Sequence, residues 1–150
     1  MTIGFRRRPL RGLRLALSIA GGLMCSVCPA IADTVELVAA RDNTLYESAT
    51  GALSNGAGTS IFVGATASGA VRRGLVWFDV AAEIPAGSTI NAVTLQMRVT
   101  QTVAGAETVA LHRVTQDWGE GASNADAAGG GGGGGGAGAP AASGDATWLH

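Results

Sequence analysis

The chain has 150 residues, with ten basic and eleven acidic side chains, 24 glycines, two cysteines and no lysine. That length holds one domain and leaves little room for a second. The scarcity of positive charge argues against a nucleic-acid or anionic-membrane surface.

The first stretch reads as an address. Arg6, Arg7, Arg8, Arg11 and Arg14 precede an apolar run over 15–27, and Ala30, Ile31 and Ala32 supply the small residues that a signal peptidase accepts, so cleavage is expected after Ala32. The run is too short to span a bilayer, and no later stretch approaches the roughly 20 apolar residues that a membrane helix needs. Arg7 and Arg8 faintly suggest the twin-arginine route, but an arginine cluster is what any export leader carries, so the general secretory route is favoured. The expected destination is extracellular or periplasmic. Processing takes both cysteines with the leader and leaves Arg41, Arg72, Arg73, Arg98 and Arg113 against eleven carboxylates, a net −6. Stability in an oxidising compartment must then come from packing or a bound ion, since no disulfide remains.

From residue 33 the pattern is that of short strands. Residues 34–40 alternate and form a first strand; Asp42 and Asn43 read as turn chemistry, with Leu45 and Tyr46 as a short return strand. Asn55 and Gly56 favour positive φ and a tight turn in a surface loop over 50–59, and 60–64 form another short strand. The densest β-branched and aromatic run, 72–80, reads as a central strand, followed by a turn over Ile84, Pro85, Ala86 and Gly87. Val93, Leu95, Met97 and Val99 then alternate with Thr94, Gln96, Arg98 and Thr100, and Val109 and Leu111 continue the pattern. The expected core is Val76, Phe78, Val80, Val93, Leu95, Met97, Val99, Val109 and Leu111; Trp77, on the other face of its strand, is read as core packing, against the alternative of a ring that stacks on a sugar. Strands at roughly ten-residue spacing, with turn signals between and no helical periodicity, argue for an all-β antiparallel sandwich.

After Trp118 the composition changes. Residues 122–144 are rich in glycine and alanine and include eight consecutive glycines at 129–136. Such a run loses the most backbone entropy on ordering and brings no side chains to bury, so 122–144 is expected to be a flexible insertion without packed structure. Residues 145–150 read like the start of a further strand, and the domain 33–150 is expected to be incomplete at its C-terminal end.

Four motifs, in order, resemble the DNRLRE-domain family, which is related to disaggregatase repeats and to carbohydrate-binding modules of secreted proteins. They are Asp-Asn-Thr-Leu-Tyr-Glu at 42–47, Arg-Gly-Leu-Val-Trp-Phe-Asp at 73–79, Ile-Pro-Ala-Gly at 84–87, and Leu-His-Arg at 111–113 followed by Trp-Gly-Glu-Gly at 118–121. The resemblance covers about 33–121 and resumes at 145. It implies a jelly-roll-like β-sandwich that serves as a glycan-binding module, an adhesive repeat or a structural spacer.

The residues are then weighed for chemistry. Glycan binding without catalysis uses exposed rings that stack on pyranose faces beside planar polar groups. The candidate ligand residues are Tyr46, Arg72, Arg73, Arg98, Arg113, Trp118 and Glu120, against the plainer reading in which Trp118 plugs a loop and each arginine pairs with a carboxylate such as Asp79 or Glu107. Asp42, Asn43 and Glu47 supply oxygen ligands for a structural calcium, against turn capping as the alternative. No resident cofactor is otherwise expected. Catalysis has little to build on, since His112 lies at a strand surface without a serine, cysteine or metal-ligand partner. The expectation is an exported, non-catalytic module, glycan-binding or adhesive at the cell surface, whose polysaccharide partner is neutral rather than strongly anionic. The alternatives are a structural spacer in a larger extracellular protein and a polysaccharide lyase or hydrolase.

Overall fold

The computed structural model describes residues 2–4, 33–102, 104–127 and 136–149; the remainder of the expected leader, Val103, residues 128–135 and His150 lie outside the described residues. The elements in order are β1 (Thr2–Gly4), β2 (Glu36–Val38), β3 (Arg41–Tyr46), β4 (Leu53–Ser54), β5 (Gly64–Ala65), β6 (Val71–Trp77), α1 (Val80–Glu83), β7 (Leu95–Gln96) and β8 (Ala139–Pro140). Strands dominate and helix is confined to the single turn of α1, so the described chain is all-β in class. No described helix is long and apolar enough to cross a membrane.

The chain divides into two compact units. The first comprises Met1–Val38 and Val80–Met97. Its sheet places β1 between β2 and β7, antiparallel to both. Strand β1 lies inside the leader read from the sequence, so cleavage after Ala32 would take the middle strand of this sheet away. The turn after α1 closes with Ser88 N–H donating to the Pro85 carbonyl at 3.2 Å. That hydrogen bond makes Gly87 the third turn residue rather than the fourth, and its φ of 84° is what a type II turn demands there.

The second unit comprises Ala39–Asp79 and Arg98–His150. In its main sheet β6 is central, flanked by β3 and β5, all antiparallel, and β4 pairs with β8 in a separate two-stranded ladder. The central strand is therefore where the sequence places it, but it ends at Trp77. The residues read as turn chemistry, Asp42 and Asn43, lie inside β3, opposite Val76 and Leu75. Tertiary pairing overrides their local preference, because the Asn43 side chain, besides the adjoining Thr44 N–H, finds partners in Ser54, Asn55 and Glu120.

The interior is not the one expected. The largest fully buried side chains are Tyr46, Asn43, Asn55, Thr44 and Ser54, with Ala125, Ala139 and Ala146 among the buried apolar residues. Of the expected core, Val80, Val93, Met97, Val99, Val109 and Leu111 are exposed, Val99 at 75% and Leu111 at 70%, while Val76, Phe78 and Leu95 are half-buried. An alternating strand hides its apolar row only beneath a second layer, and among the described residues nothing covers this row. Only Leu95 and Gln96 of the 93–99 alternation form a paired strand.

Asn55 and Gly56 also depart from expectation: both are buried and neither has positive φ. Part of the expected insertion is packed as well, since Ser123, Ala125 and Ala139 are buried and Ala139–Pro140 is a strand. Small side chains allow the close backbone approach that brings these segments into the interior, where hydrogen bonds replace apolar contact.

Candidate functional site

Strand β3 organises the second unit through one row of side chains. Arg41 Nη1 donates to the Trp118 carbonyl at 2.9 Å, and Asn43 Nδ2, two residues on, donates to the Glu120 carbonyl at 2.7 Å. Alternate residues of a strand share a face, so Arg41 and Asn43 meet alternate carbonyls of the Trp-Gly-Glu-Gly segment. The Glu120 carboxylate returns the contact by accepting from Asp42 N–H at 3.0 Å. Asn43 Oδ1 accepts from Thr44 N–H at 2.6 Å, Ser54 Oγ at 2.9 Å and Asn55 N–H at 3.0 Å.

A second carboxylate closes the network from the far end of the chain. Asp145, nearly fully buried, accepts from Ala122 N–H at 2.8 Å and Ser123 N–H at 3.4 Å through Oδ1, and from Ala142 N–H at 2.7 Å through Oδ2. Several amide donors on one carboxylate satisfy a charge that could not otherwise be buried. Gly121 makes this approach possible, because its φ is 76° and any Cβ there would meet the Asp145 carboxylate. Among the described residues, no buried side-chain nitrogen or oxygen lacks a hydrogen-bond partner.

Above this polar interior the β3–β6 register places cations opposite rings. Arg41 is paired with Trp77 and Tyr46 with Arg72. The Arg41 guanidinium lies 4.6 Å from the Trp77 ring centroid and 5.3 Å from that of Trp118, held between the two. Arg72 stands 4.8 Å from the Tyr46 ring and Arg73 4.6 Å from the Trp148 ring. Arg41 Nη2 also faces Asp117 Oδ1 at 3.7 Å, but that carboxylate is almost fully exposed and the pair contributes little. The stacked rings, rather than Asp79 or Glu107, are what these guanidinium groups lie over.

Beside the Arg41 sandwich an open cleft of about 400 Å³ is lined by Val76, Trp77, His112, Arg113, Gln116 and Trp118, with Asp117 at its rim. This is the candidate site. It brings together Arg113 and Trp118 from the residues singled out in the sequence and adds Trp77, expected in the core but partly exposed, along with Arg41 and Gln116. Arg41 was legible only as a positive charge at the head of the 42–47 motif. His112 lies on the same cleft, with Arg113 as its sequence neighbour.

The remaining sequence candidates lie elsewhere. Tyr46 is fully buried, with its ring 6.5 Å from that of Phe62. Arg72 is engaged with Tyr46 and with the Gly136 and Val71 carbonyls. Arg73 and Arg98 are exposed away from the cleft lining, and Glu120 is committed to Asp42 N–H. For the calcium set, Asn43 spends its carboxamide on the network and Glu47 Oε2 accepts from Val71 N–H at 2.6 Å. Among the described residues no three His, Cys, Asp or Glu side chains converge as metal ligands.

Burial and the neighbouring Glu120 carboxylate hold Asp42 above the ordinary carboxylate value of 3.8. Burial raises the Tyr46 phenol to about 12 against the opposing pull of Arg72. Asp126 is held below the usual range by hydrogen bonds from Thr59 N–H and Oγ1, both at 2.8 Å. None of these perturbed groups lines the cleft. Comparison with known proteins finds no match for this chain: no family model, no curated protein and no solved structure matches it.

Proposed function

We propose that the chain is an exported, non-catalytic β-module that holds a neutral glycan in the cleft between Trp77, Trp118 and residues 112–116. The observation that carries this reading is the pair of tryptophans on one cleft, with the Arg41 guanidinium in contact with both rings. Rings fixed in this way offer apolar edges and faces to a sugar at little entropic cost, and Arg113, Gln116 and Asp117 supply planar groups for its hydroxyls. The net −6 of the processed chain favours a neutral polymer over an anionic one. The resemblance to DNRLRE domains supports a jelly-roll-like sandwich as the complete fold and export as its context.

A second reading, a structural spacer, is favoured by a separate observation. The motif residues Asn43 and Glu120 face one another inside the network rather than a ligand. A glycan array on the processed chain, with tryptophan fluorescence on adding ligand, separates the two. Binding of a neutral polysaccharide that Trp118→Ala removes, with circular dichroism unchanged, supports the module; no binding across the array supports the spacer. Release of reducing ends or unsaturated sugars from any bound polymer would instead make it a hydrolase or lyase, with His112 the first residue to replace. Export is checked by sequencing the secreted protein, whose first residue should be Asp33.

A further inference from the structure

We propose that residues 107–113 are the surface through which two copies of this chain associate, each copy lending the stretch as one strand of an antiparallel pair centred on Ala110. The stretch lies outside every strand and helix, between a bend at 104–106 and the Trp118 carbonyl that Arg41 holds. Among the described residues, none of 107–113 takes part in a hydrogen bond or an ion pair. Its large apolar side chains lie in water, Val109 at 57% and Leu111 at 70% exposure, and it contains neither proline nor lysine to keep a second strand away. Unpaired backbone N–H and C=O groups beside exposed valine and leucine are what strand addition uses.

The order of the residues selects a second copy as the occupant. In a strand, Glu107, Val109, Leu111 and Arg113 share one face. Antiparallel pairing with itself about Ala110 sets Glu107 opposite Arg113 at both ends and Val109 opposite Leu111 in the middle, so ion pairs flank a cluster of valine and leucine. The other face sets Thr108 opposite His112 and Ala110 opposite itself. A slip of two residues either way breaks this match, putting Glu107 against Leu111 in one direction and Val109 against Arg113 in the other. The matched register is two-fold symmetric, so the same patch serves both copies. Arg113 also lines the cleft, and its several N–H donors let it meet a carboxylate and a ligand hydroxyl together. A ladder this short is small beside the roughly 800 Å² that each partner of a stable complex buries, so the pair forms at about 0.1 mM and dilute chain is monomeric.

The test is analytical sedimentation of the full chain from about 5 μM to 1 mM, for wild type, Glu107→Arg, Arg113→Glu, an equal mixture of these two variants, and the double variant. Both substitutions fall on exposed side chains, and circular dichroism checks that the fold is kept. Wild type should pass from monomer to dimer across this range. Each single variant sets like charges opposite one another at both ends and should need about tenfold more protein to pair. In the mixture the arginines of one copy meet the glutamates of the other, so the dimer should return. The double variant keeps the wild-type net charge and should pair as wild type does. Amide exchange gives a second readout, since alternate amides within 107–113 should slow as the dimer forms. Wild type still monomeric at about 1 mM overturns the proposal. So does a dimer that either single variant leaves intact, a mixture that stays monomeric, or a dimer in which no amide of 107–113 slows.

Discussion

The side-chain amide of Asn43 donates to the Glu120 carbonyl at 2.7 Å across 77 residues of sequence, and each partner belongs to one of the short motifs that the amino-acid sequence displays. That bond anchors a junction in which β3, β4 and the Trp-Gly-Glu-Gly segment share one buried carboxamide. Asn43→Ala strands the Thr44 and Asn55 N–H donors and the Glu120 carbonyl in the interior, while the Ser54 hydroxyl keeps the Ala146 carbonyl, and the expected loss is about 3 kcal/mol, a large part of the stability of a small module. Urea unfolding followed by tryptophan fluorescence measures it. A loss below about 1 kcal/mol would show that water takes over the vacated partners.

Gly121 and Gly87 both have positive φ, at 76° and 84°, but only the first is crowded. At Gly87 nothing lies within 4 Å of an added Cβ, so alanine there should cost only the conformational penalty, about 1 kcal/mol. Gly121→Ala meets the same penalty and also drives a methyl into the Asp145 carboxylate, displacing it from the Ala122 and Ser123 amides. Its loss should exceed that of Gly87→Ala by about 2 kcal/mol. Equal midpoint shifts for the two variants would contradict the buried carboxylate.

How much of this was legible depends on what kind of signal each residue carries. The all-β class, the central position of 71–77 and the turn near Gly87 follow from local preference and periodicity, which act over a few residues. The polar interior does not, because Asn43 and Asn55 look like turn residues until chain segments 77 and 70 residues away supply partners, and Asp145 finds the Ala122 and Ser123 amides on the far side of the glycine tract. Trp77 misleads in the opposite direction, sitting in an apolar strand yet turned toward Arg41 at the cleft. The same limit applies to the alternation at 93–111: periodicity identifies a face that could be buried but not what would bury it.

That last point has a measurable form. Val99→Thr and Leu111→Ser remove apolar side chains that are three-quarters and more than two-thirds exposed, so each should change stability by no more than about 0.5 kcal/mol. Phe78→Ala, at a half-buried ring, should cost distinctly more, though less than the 3 to 5 kcal/mol typical of a fully enclosed phenylalanine. A loss above about 2 kcal/mol at Leu111 would mean that a covering layer exists in solution.

Asp42 gives a pH signature. Its carboxyl is held above 3.8 by burial and by Glu120, so between 3.8 and that higher folded value the native chain binds a proton that the unfolded chain has released. Stability from this group therefore falls as pH rises through that window and stays lower above it. Asp42→Asn removes the ionisation and should be neutral or stabilising at pH 7, with its advantage shrinking as the pH drops to about 3.8 and below. Parallel unfolding series for the two proteins from pH 3 to 7 check the convergence; an asparagine variant less stable at pH 7 than at pH 3, relative to wild type, contradicts it.

Tyr46 offers the cleanest test of the interior, because it is the single tyrosine in the chain and the chain has no lysine. With residues 1–32 removed no cysteine remains either, so nothing else titrates between about pH 9 and 12. Burial pushes the phenol up to about 12 from an ordinary value of 10.0. Between those limits the unfolded chain gives up its proton while the native chain keeps it, so stability should fall as pH rises from 10 toward 12, by about 2 kcal/mol in all. Phenolate absorbance near 295 nm should rise with a midpoint near 12 in the folded protein and near 10 in urea. Tyr46→Phe should abolish the decline over this window while keeping the ring in its place against Arg72 and Phe62. A native midpoint near 10 would put the ring in water and remove the interior on which the Asn43 junction rests.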